Sequence, residues 1–225
     1  TLFVNTWIGH AGSKWAGNDG CTLKGNYKMF TDYATSLGIE LQQEHEFIPD
    51  IDYSYFNIGN FVPETDKNIL VCNGRAWSGQ TRNFDMSEMI VCLAKKYPFC
   101  TFFVTEKFDN SLPNIVDANS LFDTVGKSNL NELSYLSTFC KIIIGRASGP
   151  FCYSHTKQNL FDPTKTFIVS SNGDKEGHWA IMSDYDVPKK AKQIWHECHV
   201  HKSDDCSLSL VEIIEDEIDE KFSNQ

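Results

Sequence analysis

Lys141-Ile142-Ile143-Ile144-Gly145-Arg146-Ala147-Ser148-Gly149-Pro150-Phe151 is the stretch on which the fold turns. The apolar run from Lys141 to Ile144 has no polar alternation, which predicts a strand buried on both faces. Small residues follow in a tight turn, and Pro150 suits the first position of a helix predicted over 149–160. A strand that passes through such a turn into a helix is half of a βαβ unit.

The same grammar extends in both directions. Asn68 to Cys72 reads as a short apolar strand, followed by a glycine-containing loop and a helix from about Asp85 to Tyr97. Phe99 to Thr105 is a second strand. Ser128-Asn129 is a reasonable cap for a helix over 130–139, and Thr166 to Ser170 closes the series as a strand. Apolar strands alternating with helices predict an α/β protein whose parallel sheet is covered on both faces. Upstream, Leu2 to Ile8 reads as a strand running into a glycine-dense loop, Gly9 to Gly20. A helix follows over 22–37 with Gly38 as its stop. Val62 to Lys67 reads as a linker, and 207–222 as a helix with Leu210, Ile213, Ile214 and Ile218 inward and an acidic outer face. The expected organisation is therefore an N-terminal lobe over 1–66, a nucleotide-binding lobe over 67–205 and a C-terminal acidic helix over 206–225.

Composition narrows the function classes. The 225 residues carry a formal net charge of −10, which disfavours nucleic acid and anionic membrane surfaces as partners. No apolar run approaches the ~20 residues of a membrane span. The eight cysteines show no C-x-x-C and no disulfide-framework spacing, which favours a reducing, cytoplasmic setting. The chain opens on Thr1-Leu2-Phe3-Val4 as though a strand were already under way, so a domain of a larger multidomain chain is expected.

Ligands of parallel α/β sheets bind at the carboxyl ends of the strands. Three such ends here are chemically unusual. Asn73 to Gln80 contains Gly74, Arg75, Ser78 and Gly79, which can bring backbone N–H groups and a guanidinium to a phosphate. Thr105-Glu106-Lys107 ends the next strand and contributes Thr105 and Lys107. Gly145, Ser148, Gly149 and Pro150 form the third, where the helix start offers unpaired amides. The chain has only three arginines, Arg75, Arg82 and Arg146. Two of them follow predicted strands, where a planar fork suits diphosphate. Arg146 is expected in an open cleft. His10 and Asp19, in the N-terminal loop, are candidate general bases.

Metal is not expected. Asp50-Ile51-Asp52 and Asp184-Tyr185-Asp186 have the D-x-D form, but neither follows a clear buried strand. His196, Cys198, His199 and His201, with Cys206, are zinc-ligand types. Strand alternation puts His196 and Cys198 on the face opposite His199 and His201, which splits the set.

The motif Gly145, Ser148, Gly149 and Pro150, with the helix 130–136 that leads into it, resembles the donor-site motif of heptosyltransferase-type glycosyltransferases of the GT-B fold. Val4 to Gly9, Cys72-Asn73-Gly74 and Gly145 to Phe151 are also similar to small bacterial and viral transferases. Among these is the central glycosyltransferase domain of multidomain chlorella-virus enzymes that build capsid glycans. The resemblance implies a GT-B-like protein with a Rossmann-type donor lobe and an abbreviated N-terminal α/β lobe. It implies an inverting, metal-independent glycosyltransferase with no cofactor, moving a sugar from a UDP-linked donor, L-rhamnose among the options, to a glycan acceptor. Arg146 would then be catalytic through the leaving diphosphate, with His10 or Asp19 as base. A sugar-nucleotide epimerase and a non-catalytic nucleotide-binding module are the alternatives.

Overall fold

The computed structural model describes residues 34–39, 51–53, 66–76, 83–122, 130–146, 149–171, 190–197 and 203–222. The chain forms two compact units, Thr1–Ile48 with Trp179–Pro188, and Pro49–His178 with Lys189–Gln225. Of the first, only 34–39 is described: a helical turn that ends at Gly38, whose φ of 71° is the left-handed conformation expected of a helix stop.

The second unit is built on a six-stranded, all-parallel sheet: β1 (Asn68–Cys72), β2 (Thr101–Val104), β3 (Ile115–Asp117), β4 (Ile142–Arg146), β5 (Thr166–Ser171) and β6 (Lys192–Glu197). The strand order is β3-β2-β1-β4-β5-β6. The chain thus builds outward from β1 to one edge, then returns to the middle and builds to the other. The reversal falls between β1 and β4, the doubly wound arrangement in which a crevice opens at the strands' carboxyl ends. Four strands stand where the apolar runs predict them. β3, with three residues, and β6, Lys-Gln-Ile-Trp-His-Glu, are edge strands without a continuous apolar run.

Alternation along each strand divides the core between two faces. Ile69, Val71, Phe102, Val104, Ile142, Ile144 and Ile168 share one cluster with Met89, Ile90 and Leu93 of α1 (Ser87–Lys96). Leu210, Ile214, Ile218 and Phe222 of α5 (Ser203–Phe222) complete it, so the acidic helix is part of this unit's core. The opposite face packs against α2 (Leu130–Thr138), α3 (Gly149–Tyr153) and α4 (Lys157–Leu160). There the Phe151 ring meets Phe167 edge-on with centroids 6.1 Å apart, and His155 stacks on Phe167 at 4.8 Å.

The single helix expected over 149–160 is corrected to two short ones. Ser154 Oγ donates to the Phe151 carbonyl, and the Asn159 side-chain amide donates to the Ser154 carbonyl. These local bonds offer the backbone an alternative to continued helix.

Candidate functional site

The site begins with a side chain that the sheet delivers to its own crevice. Arg146 is the last residue of β4, beside the reversal of strand order, and is 2 % exposed. The expectation of an arginine in an open cleft is therefore corrected. Its Nη1 donates to the carbonyls of Asn73 and Gly74 at 2.7 and 2.6 Å, and its Nη2 donates to the Phe84 carbonyl. The guanidinium thus ties both ends of the β1–α1 connection to the end of β4. Its carbon lies 5.0 Å from the Phe84 ring centroid, a cation–π approach. Among the described residues Nε has no hydrogen-bond partner. Burial pushes the guanidinium pKa down, opposed by the charges of Glu106 and Asp85, and an arginine stays cationic through such a shift.

Around this group lies a cleft of about 440 Å³. Asn73 and Arg75 line it from the loop after β1, and Asn83 to Ser87 from the approach to α1. Glu106, Lys107 and Phe108 line it from the loop after β2, and Arg146 from β4. Among the described residues its charged lining is three cations, of which Arg146 is buried, and two carboxylates.

Asparagine side chains hold the walls by copying backbone pairing. The Asn73 amide nitrogen donates to the Glu106 carbonyl at 2.7 Å, and its oxygen accepts from Glu106 N at 2.9 Å, extending the β1–β2 ladder past the strands. Asn83 makes the equivalent pair with Ala76, at 2.8 and 2.9 Å. Gly74 N donates to Thr105 Oγ1 at 3.4 Å, and Arg75 N to Glu106 Oε2 at 3.2 Å. The expectation that this loop's amides cradle a phosphate is corrected at these two residues. Their N–H groups are already engaged, so the cationic groups facing the cleft are side chains.

The expected site residues separate accordingly. Arg75, Lys107 and Arg146 come together at the cleft. Thr105 is occupied in bonding the two loops. Gly145 has a packing reason to be glycine. A Cβ there would stand 2.8 Å from Phe151 Cδ2 and 2.9 Å from Cys72 Cβ, so the bare backbone lets α3 close on the sheet. A Cβ on Gly74 would meet only ordinary contacts at 3.6 and 3.7 Å, and at Gly149 nothing lies within 4 Å. Gly149 and Pro150 open α3, which has five residues and hence few aligned peptide dipoles. His10, Asp19, Ser78, Gly79, Arg82 and Ser148 lie outside the described residues, as do Asp50, Asp184, Asp186, Cys198, His199 and His201.

His196 is a buried core residue. Its Nδ1 is 3.1 Å from Ser170 Oγ and its Nε2 is 2.8 Å from Ser209 Oγ, so both ring nitrogens are engaged by hydroxyls. Among the described residues no group of three His, Cys, Asp or Glu side chains could hold a metal ion. Among them, too, no helix is long and apolar enough to cross a membrane. Cys72, Cys92, Cys100, Cys140 and Cys152 are free thiols, and burial pushes Cys140 up to about 12 and Cys152 up to about 11.

Sequence reasoning missed Asn73, Asn83, Asp85 and Glu106. A signal for Glu106 was present, since a carboxylate at the end of the second strand of such a sheet stands where a ribose hydroxyl is read. The asparagines act through pairings that only the folded loops create. Comparison with protein-family models, curated proteins and solved structures finds no match to this chain.

Proposed function

We propose that the cleft binds a nucleoside diphosphate, and that the chain transfers a sugar from a nucleotide-sugar donor to a glycan acceptor. The observation that carries the reading is the buried Arg146 guanidinium, with an unmatched Nε, in the wall of a cleft at the reversal of strand order. Ligands of doubly wound sheets bind in that crevice. A diphosphate ester is an anion with hydroxyl-rich groups at both ends. Arg75, Lys107 and Arg146 answer the anion, and Glu106, exposed beside them, is an acceptor for ribose hydroxyls.

Glycosyl transfer asks a site to stabilise charge that develops on the departing diphosphate. A cation held in a buried wall, as Arg146 is, does this without reorganising, which supports a metal-independent transfer; inversion is part of the proposal. UDP as the nucleotide and L-rhamnose as the sugar are the specific form of the proposal. The acceptor is a glycan, and His10 and Asp19, outside the described residues, are the candidates for the base that takes its proton.

Calorimetric titration with UDP tests the binding step, with a Kd in the micromolar to millimolar range expected. Consumption of UDP-rhamnose only when a glycan acceptor is present, undiminished by EDTA, tests the chemistry. Consumption without acceptor points to an epimerase or hydrolase. Binding without any turnover reduces the proposal to a nucleotide-binding module, and no heat with any nucleoside diphosphate at millimolar concentration removes it.

A further inference from the structure

In a doubly wound sheet the N-terminus of the helix after β1 usually presents bare amides to a phosphate. Here the chain has placed a carboxylate of its own there. Asp85 folds back so that its Oδ1 accepts from Ser87 N at 2.8 Å, at the start of the ten-residue α1. Asp85 lines the cleft together with Arg146, and the neighbouring Phe84 carbonyl is held by the guanidinium. The two charges feel each other: Arg146 helps hold the Asp85 carboxyl below its usual range, after the larger effect of the Ser87 hydrogen bonds. Asp85 is exposed and shares the lining of the cleft with Arg146, Arg75 and Lys107.

We infer that Asp85 is a built-in counter-anion that makes the cleft discriminate by ligand charge, weakening its hold on a free diphosphate more than on a sugar-esterified one. The inference rests on the nucleotide reading of the cleft. The terminal phosphate of a free nucleoside diphosphate ionises a second time at about pH 6. Near neutral pH it therefore carries one more negative charge than the same diphosphate esterified to a sugar. Each ligand charge is repelled by Asp85, so the penalty is larger for the free diphosphate. In a transfer reaction that species is the product, and Asp85 lowers its hold on the site more than it lowers the donor's. The cations on the same walls supply the attraction, and Asp85 sets how steeply it rises with ligand charge.

The experiment compares the full chain with Asp85→Asn. The amide oxygen can still accept from Ser87 N, so the helix start is kept while the charge is lost. Calorimetry at low salt is run with UDP, UDP-glucose and inorganic pyrophosphate. The expected result is a tightening of roughly tenfold for UDP and pyrophosphate and about threefold for UDP-glucose, the order of one charge repelled across a partly solvated cleft. The gain should shrink when salt is raised from 0.05 to about 0.5 M, because exposed charges are then screened. A merely structural Asp85 gives neither the dependence on ligand charge nor the dependence on salt. Equal affinities in both proteins, with UDP bound, overturn the inference and leave the cleft reading standing. Absence of UDP binding in both proteins overturns the two together.

Discussion

Two buried cations stand at opposite ends of the same sheet, and their surroundings differ in one respect. Lys165, just before β5 at the amino end, is 2 % exposed, like Arg146 at the carboxyl end. Its ammonium donates to the carbonyls of Ser137, Thr138 and Cys140 at 2.9, 2.7 and 2.7 Å. Three protons meet three acceptors, and the orphan carbonyls at the end of α2 are sealed. Asn114 does the same for α1, donating to the carbonyls of Ala94 and Cys100 at 3.0 and 3.1 Å. Arg146 also holds three carbonyls, but a guanidinium has five N–H groups, and its Nε remains unmatched beside a cleft. The buried cation of the amino end has each of its protons matched by a carbonyl, which maintains a fold. At the carboxyl end the buried guanidinium keeps one donor unmatched among the described residues, which is why we propose the ligand site there.

The sharpest way to break this contrast is to remove each cation. Lys165→Met leaves three carbonyls unanswered and is expected to cost about 2–4 kcal/mol of stability while leaving UDP affinity unchanged. Arg146→Ala is expected to cost a similar amount, about 2–4 kcal/mol, and also to abolish UDP binding. Arg146→Lys should recover part of the stability, but little affinity, because an ammonium cannot span the carbonyls of Asn73, Gly74 and Phe84. Denaturant titration beside calorimetry reads both quantities. If the Lys165 variant also lost UDP, the two ends would not be separable in function. Lys165 adds a pH signature. Burial pushes its pKa down to about 8 from 10.5. Between these values the unfolded chain binds the extra proton, so stability rises with pH, by up to about 1.4 kcal/mol per unit. The Met variant should lack that slope.

Smaller effects separate the two glycines. Gly145→Ala forces a methyl against Phe151 and the backbone-anchored Cβ of Cys72 and should cost about 1–3 kcal/mol. Gly74→Ala meets only ordinary contacts and should stay within about 0.5 kcal/mol. Any consequence of the Gly74 methyl should be confined to ligand affinity, because it stands beside the cleft wall. Thermal melts with and without UDP measure both.

The legible part of this architecture was its interior. Ile142 to Ile144 and Asn68 to Cys72 are buried on both sides, so their apolar runs had no competing reading. β3 and β6 are edges. Three residues of Ile-Val-Asp, and a strand with Lys192, Gln193 and His196, carry too little apolar signal. Without them the strand order and its reversal could not be derived. Arg146 stood out by rarity and by its place at a strand end, and it is the last residue of β4. Its burial was not legible, because that depends on Asn73, Gly74 and Phe84 turning their carbonyls inward, a property of the folded loop. The same holds for Asn73 and Asn83, whose side chains act as lengths of backbone.

Hydrogen exchange on the intact chain with and without millimolar UDP tests the central claim most directly, because it reads both ends of the sheet in one experiment. Ligand at the switch point predicts slowed exchange in 73–76, 83–87 and 105–108. Residues 137–141 and 164–166, around Lys165, should exchange at an unchanged rate. Slowing confined to the amino end, or none anywhere at saturating UDP, would contradict the account.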